Sequence, residues 1–290
     1  MPKFIAERQH RTFTDAHGIT IHYYVWAPGK PKAAVQLSHG VGEHALRYEA
    51  LAQELVNRGY AVYADDHRGH GQTGVEQWKG DLTRIGKLGP GGLRAAQQGM
   101  LDLAAIVADE HAGKPFALIA HSWGSLMAQN LLNQGPSPWG AVVLTGSAYR
   151  TPTAMNPGDL NARHQHLGTT GAEWLSRDPA VAQAFVDDPL TTDAKIIKLF
   201  GVIDGLRLFG TPKRIDPPIP MLLAVGDDDT VGGEASVKKL ADAYLSKGGL
   251  DDVTVFVYPG ARHEIFNETN QAEVRKDVID WLDDRLLARA

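Results

Sequence analysis

Ala120-His121-Ser122-Trp123-Gly124 is the stretch whose reading decides the fold. It follows the apolar run Pro115-Phe116-Ala117-Leu118-Ile119 and precedes Ser125-Leu126-Met127-Ala128-Gln129-Asn130-Leu131-Leu132, which suits a helix. A serine with small residues two positions away on each side, between a strand and a helix, has the form of a nucleophile elbow. Such a turn strains the backbone and needs small neighbours, because other backbone passes close by. It exposes a hydroxyl at a helix N-terminus, where backbone N–H groups can receive a developing oxyanion. The first small residue is Ala120 instead of glycine, so the match to G-x-S-x-G is imperfect. By itself the stretch also fits a plain strand–turn–helix connection.

Around this turn, strand-like and helix-like segments alternate. Ile19–Trp26 is β-branched and aromatic; Ala33–Leu37, Tyr60–Ala64, Ala141–Thr145, Met221–Val225 and Val253–Val257 are short buried-type strands. Tyr48, Leu51, Ala52, Leu55 and Val56 recur at helical spacing, as do Leu93, Ala96, Met100, Leu103 and Val107. Further helices are expected around Ala235–Tyr244 and over Val274, Val278, Trp281 and Leu282. This alternation implies a mostly parallel sheet covered on both faces. Residues 149–218 break the rhythm with short helical pieces separated by Pro, Gly and Asp. They carry Trp174, Phe185, Ile196, Ile197, Leu199, Phe200, Leu206, Leu208 and Phe209 as exposed-looking apolar residues. The expected organisation is a core of residues 1–148 and 219–290 with a helical cap inserted at 149–218. A helical subdomain that only stabilises the fold is the plainer reading of the same segment.

Composition bounds the function. The 290 residues can bury a large core, and 43% hydrophobic with 22% charged residues is ordinary for a globular protein. A net charge of −5 argues against a phosphate-backbone grip, so no nucleic-acid partner is expected. With no cysteine, the chain has no disulfide, thiolate metal site or cysteine nucleophile. Met1–Arg8 lacks the apolar core of a signal peptide, and no stretch approaches the length of a membrane-spanning helix. A cytoplasmic protein is therefore expected.

In an open α/β sheet, reactive groups gather in the loops after strand C-termini. Those loops hold Ser38-His39-Gly40-Val41-Gly42-Glu43-His44, Asp65-Asp66-His67-Arg68-Gly69-His70-Gly71, Ser122, Gly226-Asp227-Asp228-Asp229 and Tyr258-Pro259-Gly260-Ala261-Arg262-His263-Glu264. Serine, carboxylate and histidine thus occur on three strand-end loops in the order Ser…Asp…His, the order of an α/β-hydrolase. A serine hydroxyl needs a base, histidine is matched to that task near neutral pH, and a carboxylate fixes the imidazole tautomer. Any of Asp227, Asp228 and Asp229 suits the acid on residue type alone, and twelve histidines compete for the base. A zinc reading of His39…Glu43-His44 fails because glycines interrupt it and H-E-x-x-H is absent. Asp65-Asp66-His67…His70 is a weak cation-ligand pattern. No phosphate loop or dinucleotide fingerprint is present.

These segments resemble the monoacylglycerol lipase and lysophospholipase family. Its H-G-x-G-E-H segment looks like His39–His44, its D-x-R/V-G-H-G loop like Asp66–Gly71, and its H-S-M-G elbow like His121–Gly124. Gly226–Asp229 is similar to G-x-x-D, Tyr258–Glu264 to Y-P-G-x-x-H-E, and Ser176-Arg177-Asp178-Pro179 and Asp188-Pro189 to landmarks of the cap. The resemblance implies Ser122 as nucleophile, Asp229 as acid and His263 as base. It implies an oxyanion hole from the N–H groups of Val41 and Trp123, no cofactor, and a lipid-like monoester as substrate. A short-chain or aromatic carboxylesterase, a lactonase or an acyltransferase on the same residues is the alternative, with a non-catalytic binding protein behind them. Glu43, His44, Arg47 and Tyr48 stand near the oxyanion loop, where head-group contact, solvated charge and a helix start are all open. His121 is expected to point away from the hydroxyl, in a packing or rim role, and His39, His67 and His70 to hold their loops by hydrogen bonds. The family has glycine where this chain has Ala120 and Ser125. Trp123 replaces a methionine, and its ring is expected to narrow the acyl or alcohol pocket.

Overall fold

The structure, a computed structural model, describes residues 5–287. Met1 to Phe4, the start of the N-terminal stretch considered above, and residues 288–290 lie outside them. In chain order the strands are β1 Gln9–Thr14, β2 Thr20–Trp26, β3 Ala33–Ser38, β4 Tyr60–Asp65, β5 Phe116–His121, β6 Ala141–Thr145, β7 Met221–Gly226 and β8 Val253–Tyr258. The helices are α1 Glu49–Asn57, α2 Gly71–Gln77, α3 Gly92–Glu110, α4 Trp123–Leu132, α5 Pro179–Asp187, α6 Ile196–Arg207, α7 Gly233–Ser246 and α8 Gln271–Leu282.

The strands form one sheet in the order β1-β2-β4-β3-β5-β6-β7-β8. β1 and β2 join antiparallel, and every pair from β4 to β8 is parallel. The parallel strands therefore end at one edge, and the loops carrying Gly40, Asp66, Ser122, Asp229 and His263 all leave from it. The chain winds outward from β3 to β4 on one side and to β5 on the other, so the loop after β3 sits at the switch point beside the loop after β5.

Side chains alternate faces along each strand. Leu118 and Ala120 of β5 join a core with Met100, Leu103, Met127 and Leu240 of α3, α4 and α7. Ala117 and Ile119 join the opposite core with Leu51, Leu55, Val274 and Trp281 of α1 and α8. Both faces being covered explains why the central strands read as continuous apolar runs.

Two elements differ from the sequence reading. β1 is an edge strand, mostly exposed, and its Gln-His-Arg-Thr-Phe-Thr sequence has no apolar face to announce it. Its register is supplied by β2, with Arg11 opposite Tyr23 and Phe13 opposite Ile21. α2 carries glycines at 71 and 74, which disfavour an isolated helix; packing sets it, with Thr73 Oγ1 accepting from the His22 N–H at 2.8 Å. Between β6 and β7, the described residues 149–218 contain α5, α6 and one 3₁₀ turn, Gln165–Leu167, with no strand. Of the apolar residues expected to be exposed there, Trp174 and Leu208 are buried, whereas Ile197 and Leu206 are exposed.

Candidate active site

Ser122 stands between β5 and α4 with φ 51 and ψ −123, one of two non-glycine residues with positive φ among those described. A serine reaches that region only where its surroundings over-determine it. Here its N–H donates to the Thr145 carbonyl at 2.9 Å, and its own carbonyl accepts from Leu126 N–H at 3.1 Å, opening the helix. A Cβ on Gly124 would lie 2.6 Å from the carbonyl oxygens of Ser38 and His39, so only glycine fits where the elbow passes β3. The two departures from the family pattern are absorbed locally. Ala120 is wholly buried in the core. The Ser125 hydroxyl donates to the Ser122 carbonyl at 2.6 Å, tying down the turn it belongs to.

The loop after β3 lies directly against the serine: a Cβ on Gly40 would sit 3.0 Å from Ser122 Cβ. Both polar groups of Gly40 are held. Its N–H donates to Glu43 Oε1 at 2.6 Å, and its carbonyl accepts from His39 Nδ1 at 2.7 Å. That carbonyl shares a peptide plane with the Val41 N–H, which in a trans peptide points the opposite way. His39 is kept in place by His67, whose backbone N–H donates to His39 Nε2 at 3.0 Å. His67 donates from Nδ1 to Asp65 at 2.7 Å, and its Nε2 accepts from Ser38 Oγ at 2.9 Å. His70 Nδ1 donates to the Arg68 carbonyl at 2.9 Å. Burial holds the pKa of His39 and His70 well down, His70 to about 3, so both stay neutral and fit these roles.

On the other side, His263 Nδ1 lies 3.0 Å from Asp229 Oδ1, which also accepts from Val231 N–H at 2.8 Å. Both residues are buried. His263 Nε2 and Asp229 Oδ2 make no hydrogen bond to another group. Burial opposes a charge on His263, but the Asp229 carboxylate, helped by Glu264 and Glu43, outweighs it and raises the pKa. Asp227 accepts from Gly260 N–H at 2.6 Å, joining the loops after β7 and β8. Asp228 accepts from His164 Nε2 at 2.8 Å, tying the loop after β7 to the segment between β6 and β7.

The side chains considered for head-group contact, Glu43, His44, Arg47 and Tyr48, have internal partners, Tyr48 donating to Glu43 at 2.8 Å, and so does His121. Glu43 and Arg47 are not solvated charges: Arg47 donates to Glu43 at 2.9 Å and to both oxygens of Glu264 at 2.5 and 2.8 Å. His44 donates to Asp188 of the inserted segment at 2.8 Å. His121 is buried, 2.9 Å from Thr145 Oγ1 through Nδ1, with its ring 4.6 Å from that of His263. The contacts of Trp123 place its ring beside the segment between β6 and β7. Its indole is 1% exposed, stacked on His70 at 5.2 Å and 4.9 Å from Phe200 of α6, so it meets the inserted segment inside the protein.

Two contributors escaped the sequence reading. Trp174 lays its ring 4.7 Å from that of His263, and its carbonyl accepts the His263 N–H at 3.4 Å. Glu264 donates its N–H to the Leu175 carbonyl at 2.7 Å while its carboxylate grips Arg47. The Trp174-Leu175 backbone thus runs alongside the loop after β8. Nothing in the sequence around Trp174 separates it from the other apolar residues of that segment. Among the described residues no group of three or more His, Asp or Glu side chains is placed to hold a metal ion.

Residues 29–270 match the family model described as serine aminopeptidase, S33 (Hydrolase_4). The chain is 31% identical to the monoacylglycerol lipase of Mycolicibacterium smegmatis, over 95% of this chain and 97% of that protein. It is 26% identical to human monoglyceride lipase, over 93% and 89%. Among solved structures, a thermostable carboxyl esterase from Bacillus coagulans superposes with a TM-score of 0.84 at 24% identity, covering 96% of this chain and 99% of that one. Monoglyceride lipase from Saccharomyces cerevisiae superposes at 0.73 with 21% identity, covering 98% and 97%. With its sheet order, its elbow and a match spanning most of its length, the chain belongs to the serine aminopeptidase S33 (Hydrolase_4) family of α/β-hydrolases.

Proposed function

We propose that this protein is a serine hydrolase that cleaves carboxylic esters, with lipid monoesters of the monoacylglycerol type as its substrates. The observation that carries the reading is the buried Asp229–His263 pair, whose unpartnered Nε2 belongs to the same strand-end edge as the strained Ser122. Asp229 fixes the proton on Nδ1 of His263, leaving Nε2 as the acceptor. Ser122 attacks the ester carbonyl while His263 takes its proton. The N–H groups of Val41 and Trp123 receive the oxyanion, at the turn that Gly40 holds and at the first residue of α4. His263 then delivers the proton to the leaving alcohol, and water releases the acid from the acyl-enzyme by the same steps.

Residues 149–218 act as a cap in this reading. Ile197, Val202, Ile203 and Leu206 give α6 an exposed apolar face suited to transient contact with a lipid surface. No helix among the described residues is long and apolar enough to cross a membrane. The names of the relatives support the monoacylglycerol class. A caffeoylshikimate esterase from Arabidopsis thaliana, 24% identical over 89% of this chain, favours aromatic esters as the second reading.

An ester panel decides between them. Medium- and long-chain monoacylglycerols are expected to give higher kcat/KM than hydroxycinnamoyl esters or aminoacyl anilides, with free acid as product in the presence of added glycerol. Preference for the aromatic esters would establish the second reading, and glycerol capture of the acyl group would establish a transferase.

The pH profile follows from His263, which must be neutral to accept the serine proton. Because its pKa lies above the ordinary histidine value, kcat/KM is expected to fall as pH drops through that raised pKa. The acid limb should move to lower pH in Asp229→Asn, which removes the charge that raises it.

A further inference from the structure

Arg47 lies on the 3₁₀ turn Ala45–Tyr48, with its side chain 12% exposed, between two buried carboxylates from distant parts of the chain. Glu43 belongs to the loop after β3. Its Oε1 accepts from Gly40 N–H at 2.6 Å and Tyr48 Oη at 2.8 Å, and its Oε2 accepts from Arg47 at 2.9 Å. Glu264 directly follows His263. It takes both arms of the guanidinium, at 2.5 and 2.8 Å, and accepts from Asn267 Nδ2 at 2.9 Å. The Phe185 ring, 5.0 Å from the guanidinium carbon, packs against the same group. One cation therefore ties the peptide beside Ser122 to the residue beside the imidazole.

We propose that Arg47 is a positioning residue, which through Glu43 and Glu264 sets the spacing between the oxyanion loop and the base loop. The proposal rests on the ester-hydrolase reading above. A guanidinium suits this task because its planar fork fixes direction as well as distance, and because it stays charged when buried. A lysine at 47 keeps the charge but cannot hold both oxygens of Glu264 and reach Glu43 in the same rigid geometry.

The cluster also carries charge to the site. It holds two carboxylates for one guanidinium. Burial raises the Glu43 pKa despite Arg47 beside it, whereas Arg47 more than offsets burial at Glu264 and keeps it ionised. Around His263 stand Asp229, Glu264 and Glu43 as carboxylates, with His121 held neutral by burial and Trp174 adding an uncharged ring. Glu264 thus supports the imidazolium that forms when Ser122 loses its proton, and Arg47 keeps Glu264 in place.

Arg47→Met, Arg47→Lys and Glu264→Gln in the full chain test this, with kcat and KM measured on a soluble 4-nitrophenyl ester. A displacement of about 1 Å at a reacting centre can lower rate about 10²-fold, which is the loss of kcat expected for Arg47→Met. Arg47→Lys should recover only part of it, and KM should change by less than about threefold in both, as for an interaction used in the transition state. Glu264→Gln should lower kcat and move the acid limb of kcat/KM to lower pH. Near-UV circular dichroism reports folding; if Arg47→Met does not fold, Arg47→Lys and Glu264→Gln decide. A rise in KM with kcat preserved would make Arg47 a substrate contact, and unchanged kcat in Arg47→Lys and Glu264→Gln would remove the positioning role. Fluorophosphonate labelling of Ser122 in the unaltered protein reports on the ester-hydrolase reading separately, since the proposal is judged on ratios of variant to parent.

Discussion

Ser122→Ala is expected to lower kcat for ester hydrolysis by about 10⁵- to 10⁶-fold, the scale on which loss of an activated serine acts in other hydrolases of this chemistry. No other group is placed to take over. The elbow presents one hydroxyl, and the neighbouring Ser125 hydroxyl is committed to the Ser122 carbonyl at 2.6 Å. Ser38 Oγ is buried and bonded to His67 at 2.9 Å. The substitution should leave the fold intact, because the Ser122 side chain makes no hydrogen bond that the turn depends on; the backbone bonds to Thr145 and Leu126 hold it. An alanine at positive φ is strained about as much as a serine, so little change in thermal stability is the accompanying expectation. Steady-state kinetics with a chromogenic ester, together with a melting curve, measures both.

Asp229→Asn should lower kcat by up to about 10⁴-fold with little change in KM, the upper bound being the loss seen when the acid of a Ser-His-Asp triad becomes an amide. The Val231 N–H already donates to Asp229 Oδ1, so an amide at 229 must keep its oxygen there. That oxygen still accepts from His263 Nδ1, the NH₂ takes the place of the buried Oδ2, and the carboxylate charge that favours the imidazolium is gone. Because Asp229 Oδ2 is buried without a partner, the new amide N–H also goes unsatisfied, which adds a stability loss of about 1–3 kcal/mol. Asp228→Asn is the informative contrast. Asp228 bonds His164 and Arg163, at the boundary with the inserted segment, and its loss should leave the Asp229–His263 contact in place. A comparable fall in kcat for Asp228→Asn would put the acid one residue earlier.

What was legible in the sequence divides by range. The apolar strand before Ser122 and the glycine after it are adjacent in the chain, so the elbow could be read locally. The parallel strands announced themselves because both faces are buried. β1 did not, since an exposed edge strand owes its form to β2. The acid was ambiguous on residue type: Asp227, Asp228 and Asp229 share one turn, and only contacts with distant residues separate them. Asp227 meets Gly260, Asp228 meets His164 and Asp229 meets His263. Arg47 and Glu264 are 217 positions apart, and neither carries a local sign of the other. Each reads as an ordinary surface charge until the fold buries them together. Trp123 illustrates a related difficulty: its place beside the serine was evident, but the direction of its side chain is set by His70 and Phe200.

The arrangement also sets how the inserted segment bears on the chemistry. It touches each loop of the site: Asp188 at His44, His164 at Asp228, Trp174 and Leu175 along His263 and Glu264, and Phe200 at Trp123. Residues 173–177 are braced further by Arg262, which donates to the carbonyls of Glu173 and Ser176 at 2.7 and 2.8 Å, and by Arg177 on Glu268 at 2.9 Å. α6 carries exposed apolar side chains and bends at Gly201, where φ is 82 and ψ 170. The segment is thus anchored along the loop after β8 while α6 keeps an exposed apolar face, which fits the proposed cap.

The central claim is that the Ser122 hydroxyl is made nucleophilic by His263 and becomes acylated. Intact-mass analysis after reaction with a fluorophosphonate, followed by peptide mapping, tests it most directly. The mechanism predicts a single adduct on the peptide containing Ser122, abolished in Ser122→Ala and formed far more slowly in His263→Ala. Equal labelling of the parent and Ser122→Ala proteins, or an adduct on a different residue, would contradict it.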